Sequence, residues 1–213
     1  MDFINKEIQD YSEVHTQPEP EVLKKLNRET HAKVLKPRML SGHLQGRALS
    51  MLSHMIRPQY ILEIGTYTGY SAICLAEGMQ ADGKLVTIDV NEELEDMAVK
   101  YFNEAGYGHV IDQRIGNALD IIPTLTYPWD VVFVDADKTN YSNYFDLVID
   151  QVKPGGYIIA DNVLWSGKVV QPVKDSDKDT RALLDFNKKV HDDSRVDNLL
   201  LPIRDGLMIL RKN

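Results

Sequence analysis

A single cysteine, Cys74, stands among 213 residues, so no internal disulfide can form. A reducing, cytoplasmic setting is the expectation for such a chain. No apolar run approaches the ~18 residues that a membrane helix needs, so no membrane association is expected. The opening stretch MDFINKEIQDYSEVH carries acids and no apolar h-region, which reads against a signal peptide. Basic runs are missing as well: 24 Lys and Arg face 32 Asp and Glu, a net charge of −8. Nucleic acid is therefore not an expected partner, because binding its backbone wants a basic face. The six His are scattered, without HExxH or a Cys/His cluster, which excludes the usual zinc arrangements. GxGxxG is absent too, which counts against a dinucleotide cofactor, and so are internal repeats and low-complexity tracts.

What remains is an ordinary globular composition and a length that suits one domain, 1–213, with N-terminal helices over 1–57 and an α/β core over 58–213. Residues 18–36 and 43–56 show helical spacing. From Gln59 onward, apolar runs that resemble buried parallel strands recur as YILEI (60–64), KLVTID (84–89), VIDQRI (110–115), DVVFVD (130–135) and GYIIAD (156–161). Helix-like stretches lie between them at about 71–79, 92–105, 118–125 and 141–152. That alternation predicts a doubly wound parallel sheet. The end differs: NLLLPI and LMILRK flank Arg204-Asp205-Gly206, a hairpin signal, so an antiparallel pair should close the sheet. Met39, Met51, Met55 and Cys74 read as core filler.

Chemistry gathers at the strand ends. Glu63-Ile64-Gly65-Thr66-Tyr67-Thr68-Gly69-Tyr70-Ser71 follows the first strand and opens a helix. Gly65 allows a tight turn and close approach of a ligand, where open α/β sheets bind theirs. Glu63 sets an acid beside that ligand, suited to a cationic amino acid or a sulfonium; the alternative is a structural acid. Asp89 ends the second strand and can accept from ribose hydroxyls, or can cap the next helix, a task open to Asn91 too.

Asp135 and Asp137 end the fourth strand, and Asp161 and Asn162 end the fifth. If those strands are neighbours, Asp135, Asp161 and Asn162 converge as hard oxygen ligands suited to Mg²⁺, Ca²⁺ or Mn²⁺. Turn capping is the alternative. Lys138, three residues after Asp135, would give up its proton more readily beside a bound cation and then act as a general base; otherwise it is a solvated surface lysine. Trp165 opens a polar excursion to about residue 178, where it stacks on an acceptor or anchors the loop.

Together MLSGHLQG, LEIGTYTGYSA, VTIDVN, GNALDIIP, FVDADKTNY, ADNVLWSG and PIRDGL make the chain resemble the metal-dependent O-methyltransferases, from about Met39 to its end. That family includes the caffeoyl-CoA O-methyltransferases, their bacterial relatives and catechol O-methyltransferase. The resemblance implies a Rossmann-like class I methyltransferase fold, with a seven-stranded, mostly parallel sheet, a C-terminal antiparallel hairpin and helices on both faces. It implies S-adenosylmethionine as cofactor, a divalent metal with Mg²⁺ foremost, a small acceptor with vicinal hydroxyls, and a homodimer. It puts Asp135, Asp161 and Asn162 on the metal ligands and Lys138 on the catalytic base. Met39, Ser41, Glu63, Gly65, Tyr67, Ser71, Asp89, Ala118 and Asp137 fall on cofactor-contacting positions. Leu199 stands where catechol O-methyltransferase carries a substrate-binding acid, and His43 and Leu44 replace acids usual in the plant enzymes. Neither catechol nor caffeoyl-CoA is therefore carried over as the substrate.

Overall fold

A computed structural model describes residues 5–213, so the first four residues of the acidic opening stretch lie outside the described residues. Among the described residues no helix is long and apolar enough to cross a membrane. The seven strands of these residues make the expected mixed sheet. The described residues form two compact units, one over Glu7–Asn117 and one over Ala118–Asn213 together with Asn5 and Lys6.

The first unit holds α1 (Lys6–Val14), α2 (Glu21–Lys33), α3 (Gly42–Ile56), β1 (Tyr60–Ile64), α4 (Tyr70–Ala76), β2 (Lys84–Asp89), α5 (Glu95–Glu104) and β3 (Ile111–Ile115). The strands run parallel, with β2 between β1 and β3. Ile61, Leu62 and Ile64 of β1 and Leu85, Val86 and Ile88 of β2 are buried, as strands covered on both faces require. The α2 helix buries Leu23, Leu26 and Thr30, one stripe at helical spacing. Sealing Leu23 and Leu26 completely contributes about 1.5–3 kcal/mol each by area.

The expectation that Met39, Met51 and Met55 are core is wrong: they are 54%, 63% and 75% exposed. The face of α3 turned inward is built instead from Gln45, Gly46, Leu49, Ser50 and Ser53. A Cβ on Gly46 would lie 2.5 Å from the Tyr70 ring. Small residues let α3 and α4 approach closely, and the methionines are left on the outer face. Cys74 of α4 is fully buried, as expected.

The second unit holds α6 (Ala118–Ile121), β4 (Trp129–Val134), α7 (Tyr141–Val148), β5 (Val152–Asp161), α8 (Lys178–Asp192), β6 (Val196–Leu201) and β7 (Leu207–Lys212). β4 pairs parallel with β5, and β5 and β6 flank β7 antiparallel. The expected helix over 118–125 is one α-turn followed by a 3₁₀ turn at Ile122–Thr124, where Pro123 cannot donate to an α ladder.

The closing pair turns through five residues, 202–206, rather than a two-residue Asp-Gly loop. Pro202 withholds a ladder donor, and Arg204 and Gly206 take left-handed φ values of 49° and 90°. The α8 helix is absent from the sequence reading. It buries Leu183, Phe186 and Val190, and its N-cap Asp177 accepts from the Thr180 N–H at 3.2 Å.

Candidate active site

The turn after β1 runs through left-handed backbone. Gly65 has φ 104° and donates its N–H to the Ile88 carbonyl at 2.8 Å, which fixes the chain where β1 ends. Tyr67 (φ 51°) and Gly69 (φ 87°) follow in left-handed backbone, and Gly69 N–H closes the turn on Thr66 O at 2.8 Å. The Phe102 ring lies where any Cβ on Gly69 would go, so glycine is required there twice over. Glu63 is fully buried, and its Oε2 accepts from Thr87 Oγ1 at 2.6 Å across the β1–β2 register.

Asp89 ends β2 and does not cap the following turn. Its Oδ2 accepts from Tyr67 N–H at 2.7 Å and its Oδ1 from Asn91 N–H at 2.9 Å. Asn91 takes the capping role by accepting from Glu93 N–H at 3.0 Å. Each Asp89 oxygen keeps a lone pair for a further donor. The structure thus brings Glu63, Gly65, Tyr67, Ser71 and Asp89 to the β1 and β2 ends, the first turn of α4 and the loop between. Ser41 is buried at the N-terminus of α3, and Met39 lies in the preceding 3₁₀ turn, over half exposed.

In the second unit β4 and β5 are neighbours in register, Val134 opposite Ala160, so Asp135 and Asp161 follow as the next residues of paired strands. Lys138 is buried, not a surface lysine. Its Nζ donates to Asp135 Oδ1 at 3.1 Å, Asn162 Oδ1 at 2.9 Å and Tyr141 Oη at 2.5 Å. Asp161 Oδ1 accepts from Asn162 N–H at 2.7 Å, and Asn162 takes a left-handed φ of 60°. Asn tolerates that backbone better than most residues.

Two of the three candidate ligand oxygens therefore already converge on one cationic nitrogen. Two carboxylates and an amide oxygen are the donors a hard divalent cation takes, so the residues fit such an ion. Among the described residues no three His, Cys, Asp or Glu side chains gather as a metal group; this set is two Asp and one Asn.

Tyr141 is a neighbour that sequence reasoning missed. Its hydroxyl donates to the Asp161 carbonyl at 2.9 Å while receiving Lys138, so it ties the amine to the β5 end. Burial, then the Asp135 and Asp161 charges, push its phenol well above the ordinary value, and it stays a neutral donor. Only its place in KTNY, three residues past Lys138, hinted at the contact. Asp137 is otherwise occupied: its carboxylate accepts from Tyr144 Oη and from Asn140 Nδ2, both at 2.5 Å. Ala118 is buried at the start of α6.

The O-methyltransferase family model matches residues 12–213. Caffeoyl-CoA O-methyltransferase from Petroselinum crispum is 39% identical, covering 91% of this chain and 85% of its own length. Caffeoyl-CoA O-methyltransferase 1 from Arabidopsis thaliana is 38% identical over 91% of this chain and 79% of its own. The solved O-methyltransferase from Bacillus cereus, in complex with SAH, superposes with a TM-score of 0.89 at 28% identity, covering 97% of both chains. The Streptomyces achromogenes enzyme involved in tomaymycin synthesis, in complex with SAM, gives 0.88 at 31%, covering 97% of this chain and 96% of its own. With a model matched over nearly its whole length and relatives this similar, the chain belongs to the O-methyltransferase family.

Proposed function

We propose that the chain transfers a methyl group from S-adenosylmethionine to a hydroxyl of a small phenol with vicinal oxygens, assisted by a divalent cation, Mg²⁺ foremost and Mn²⁺ or Ca²⁺ next. The observation that carries this reading is the convergence of Asp135 and Asn162 on buried Lys138, with Asp161 at the adjoining strand end. Glu63, Gly65, Tyr67, Ser71 and Asp89 are the cofactor residues. Asp89 accepts from ribose hydroxyls with the lone pairs left over from its two backbone bonds, and Glu63 supplies the negative charge that a cationic cofactor needs. By the family resemblance, Ala118 through its backbone is a further proposed cofactor position, and Met39, Ser41 and Asp137 are secondary ones.

Asp135, Asp161 and Asn162 would hold a divalent cation, which would supply Lewis acidity favouring an ionised acceptor. S-adenosylmethionine supplies an electrophilic methyl group. Lys138, after releasing one of its own protons to solvent, takes the acceptor's proton at Nζ, and Tyr141 holds that nitrogen in place. A phenol with a pKa near ~10 is a poor nucleophile at neutral pH, so removal of its proton is the step these side chains must assist. No covalent intermediate with the enzyme is needed, and the remaining contribution is near-attack positioning.

The chain is also proposed to act as a homodimer in a reducing, cytoplasmic compartment. Support for the dimer comes from α1, which buries none of its residues and exposes Ile8, Tyr11 and Val14 on one stripe.

The test separates metal from base. Asp161→Ala should lose Mg²⁺ or Mn²⁺ binding by calorimetry, and activity with it. Lys138→Ala should keep metal and cofactor binding while turnover of a catechol falls about 10²–10⁴-fold, the usual cost of a lost general base. Higher pH should partly restore that variant, more so for acidic phenols. Wild-type turnover in Lys138→Ala at neutral pH would remove the base assignment. Full activity in the presence of a chelator would remove the metal.

A further inference from the structure

The segment that leaves β5 runs through backbone that L-residues seldom adopt. Asn162, Trp165 and Ser166 have φ of 60°, 46° and 53°, followed by Gly167 at 75°. Such residues persist only where the surroundings over-determine them. The loop at 202–206 does this. Val163 N–H donates to Gly206 O at 3.2 Å and Leu164 N–H to Asp205 O at 2.9 Å. Gly206 leaves no room for more: a Cβ there would lie 2.5 Å from Leu164 Cγ.

One side chain joins these backbone ties. Asp205 Oδ1 accepts from the Ser166 N–H at 2.5 Å, the first amide past Trp165. Burial pushes the Asp205 carboxyl above its ordinary range, the mark of a charge kept where water is scarce. The Trp165 indole lies 5.7 Å from Lys138 Nζ. Its Nε1 is buried with no hydrogen-bond partner among the described residues, so no polar bond of its own sets the ring. The ring is placed by the backbone on either side of it and by its packing, with Lys168 Nζ also 6.0 Å from its centroid.

We infer that Asp205 is a positioning residue of the transfer reaction: by holding the Ser166 N–H it locks the left-handed turn that sets Trp165 beside Lys138, and so fixes a wall against which an aromatic acceptor lies. This rests on the acceptor class proposed above. It adds a determinant of acceptor affinity that touches neither cofactor nor metal ligands.

The experiment compares Asp205→Ala and Asp205→Asn with wild type, using 3,4-dihydroxybenzoate as methyl acceptor and acrylamide quenching of tryptophan fluorescence. Trp129 is fully buried, so the quencher-accessible signal reports Trp165. Asp205→Ala should raise the KM for the acceptor about tenfold, the worth of one hydrogen bond to a charged group, with kcat and the KM for S-adenosylmethionine changed much less. Quenching should increase in parallel. Asp205→Asn keeps an acceptor oxygen for Ser166 and should restore both readouts to near wild type. Unchanged acceptor KM and quenching in Asp205→Ala would overturn the inference, as would Asp205→Asn failing to restore quenching. If wild type does not methylate the probe, the acceptor class fails, and the quenching comparison still decides whether Asp205 orders Trp165.

Discussion

A buried thiol shows how far one residue's surroundings decide its chemistry. Cys74 lies on α4 with no exposed surface, and burial pushes its thiol up to about 12. Arg47 points Nη2 at its sulfur from 3.4 Å, which favours thiolate, yet desolvation is the larger influence. The folded protein should therefore resist labelling by a thiol reagent at mildly alkaline pH, and should react with one equivalent once unfolded in guanidinium. Rapid labelling of the native state would show that α4 opens readily. The same scale shows what a sequence displays and what it hides. The neighbouring places of Asp135, Lys138, Asp161 and Asn162 were legible because each sits at or just past the end of an apolar strand, and the two strands pair. Tyr141 and Asp205 were not. Their roles come from contacts with Asp161 and Ser166, at sequence distances of 20 and 39 residues, which no local pattern encodes.

At the scale of elements, the parallel strands were readable because continuous apolar runs bury both faces, and β7 matches LMILRK residue for residue. The α8 helix was missed because Lys, Asp and Arg outnumber the Leu183, Phe186 and Val190 stripe that alone marks its buried side. Exposed methionines on α3 misled for the opposite reason: apolar character was taken for burial, while small residues made the contact. The α2 helix carries a sharper consequence. Glu29 on α2 accepts from Lys100 Nζ at 2.7 Å and Tyr101 Oη at 2.6 Å of α5, and from Lys33 on its own helix at 2.7 Å. Lys100, then Lys33 and Tyr101, hold its carboxyl down from 4.5 to about 2. A depressed folded value means stability that is present above the ordinary carboxyl value and lost as pH falls through about 2. Glu29→Gln should melt below wild type near neutral pH, and the two melting curves should converge over that acid window. The difference should also shrink in high salt, since both lysine partners are exposed. A gap that ignores both pH and salt would assign the effect to packing instead.

For the whole molecule, binding and folding share one free-energy scale. A ligand that binds only the folded chain stabilises it by about 2.7 kcal/mol at roughly a hundredfold excess over its Kd. With an unfolding entropy of about 2.1 cal/mol/K per residue, a chain of this length should gain about 6 °C in Tm. S-adenosylmethionine or its demethylated product should give that shift and NAD should not, because the β1 turn lacks the glycine spacing that cradles a pyrophosphate. Asp89→Ala tests the attribution. The variant loses the acceptor for Tyr67 N–H as well as the proposed ribose contact, so its unliganded Tm should itself fall. What decides the ribose role is therefore the shift measured against each protein's own baseline. A weakening of about tenfold or more, the scale of a hydrogen bond to a charged group, should cut the Asp89→Ala shift by several degrees at the same ligand concentration. An undiminished shift on a lowered baseline would leave Asp89 as a brace for the turn, with the cofactor held by Glu63, Gly65 and the backbone around them.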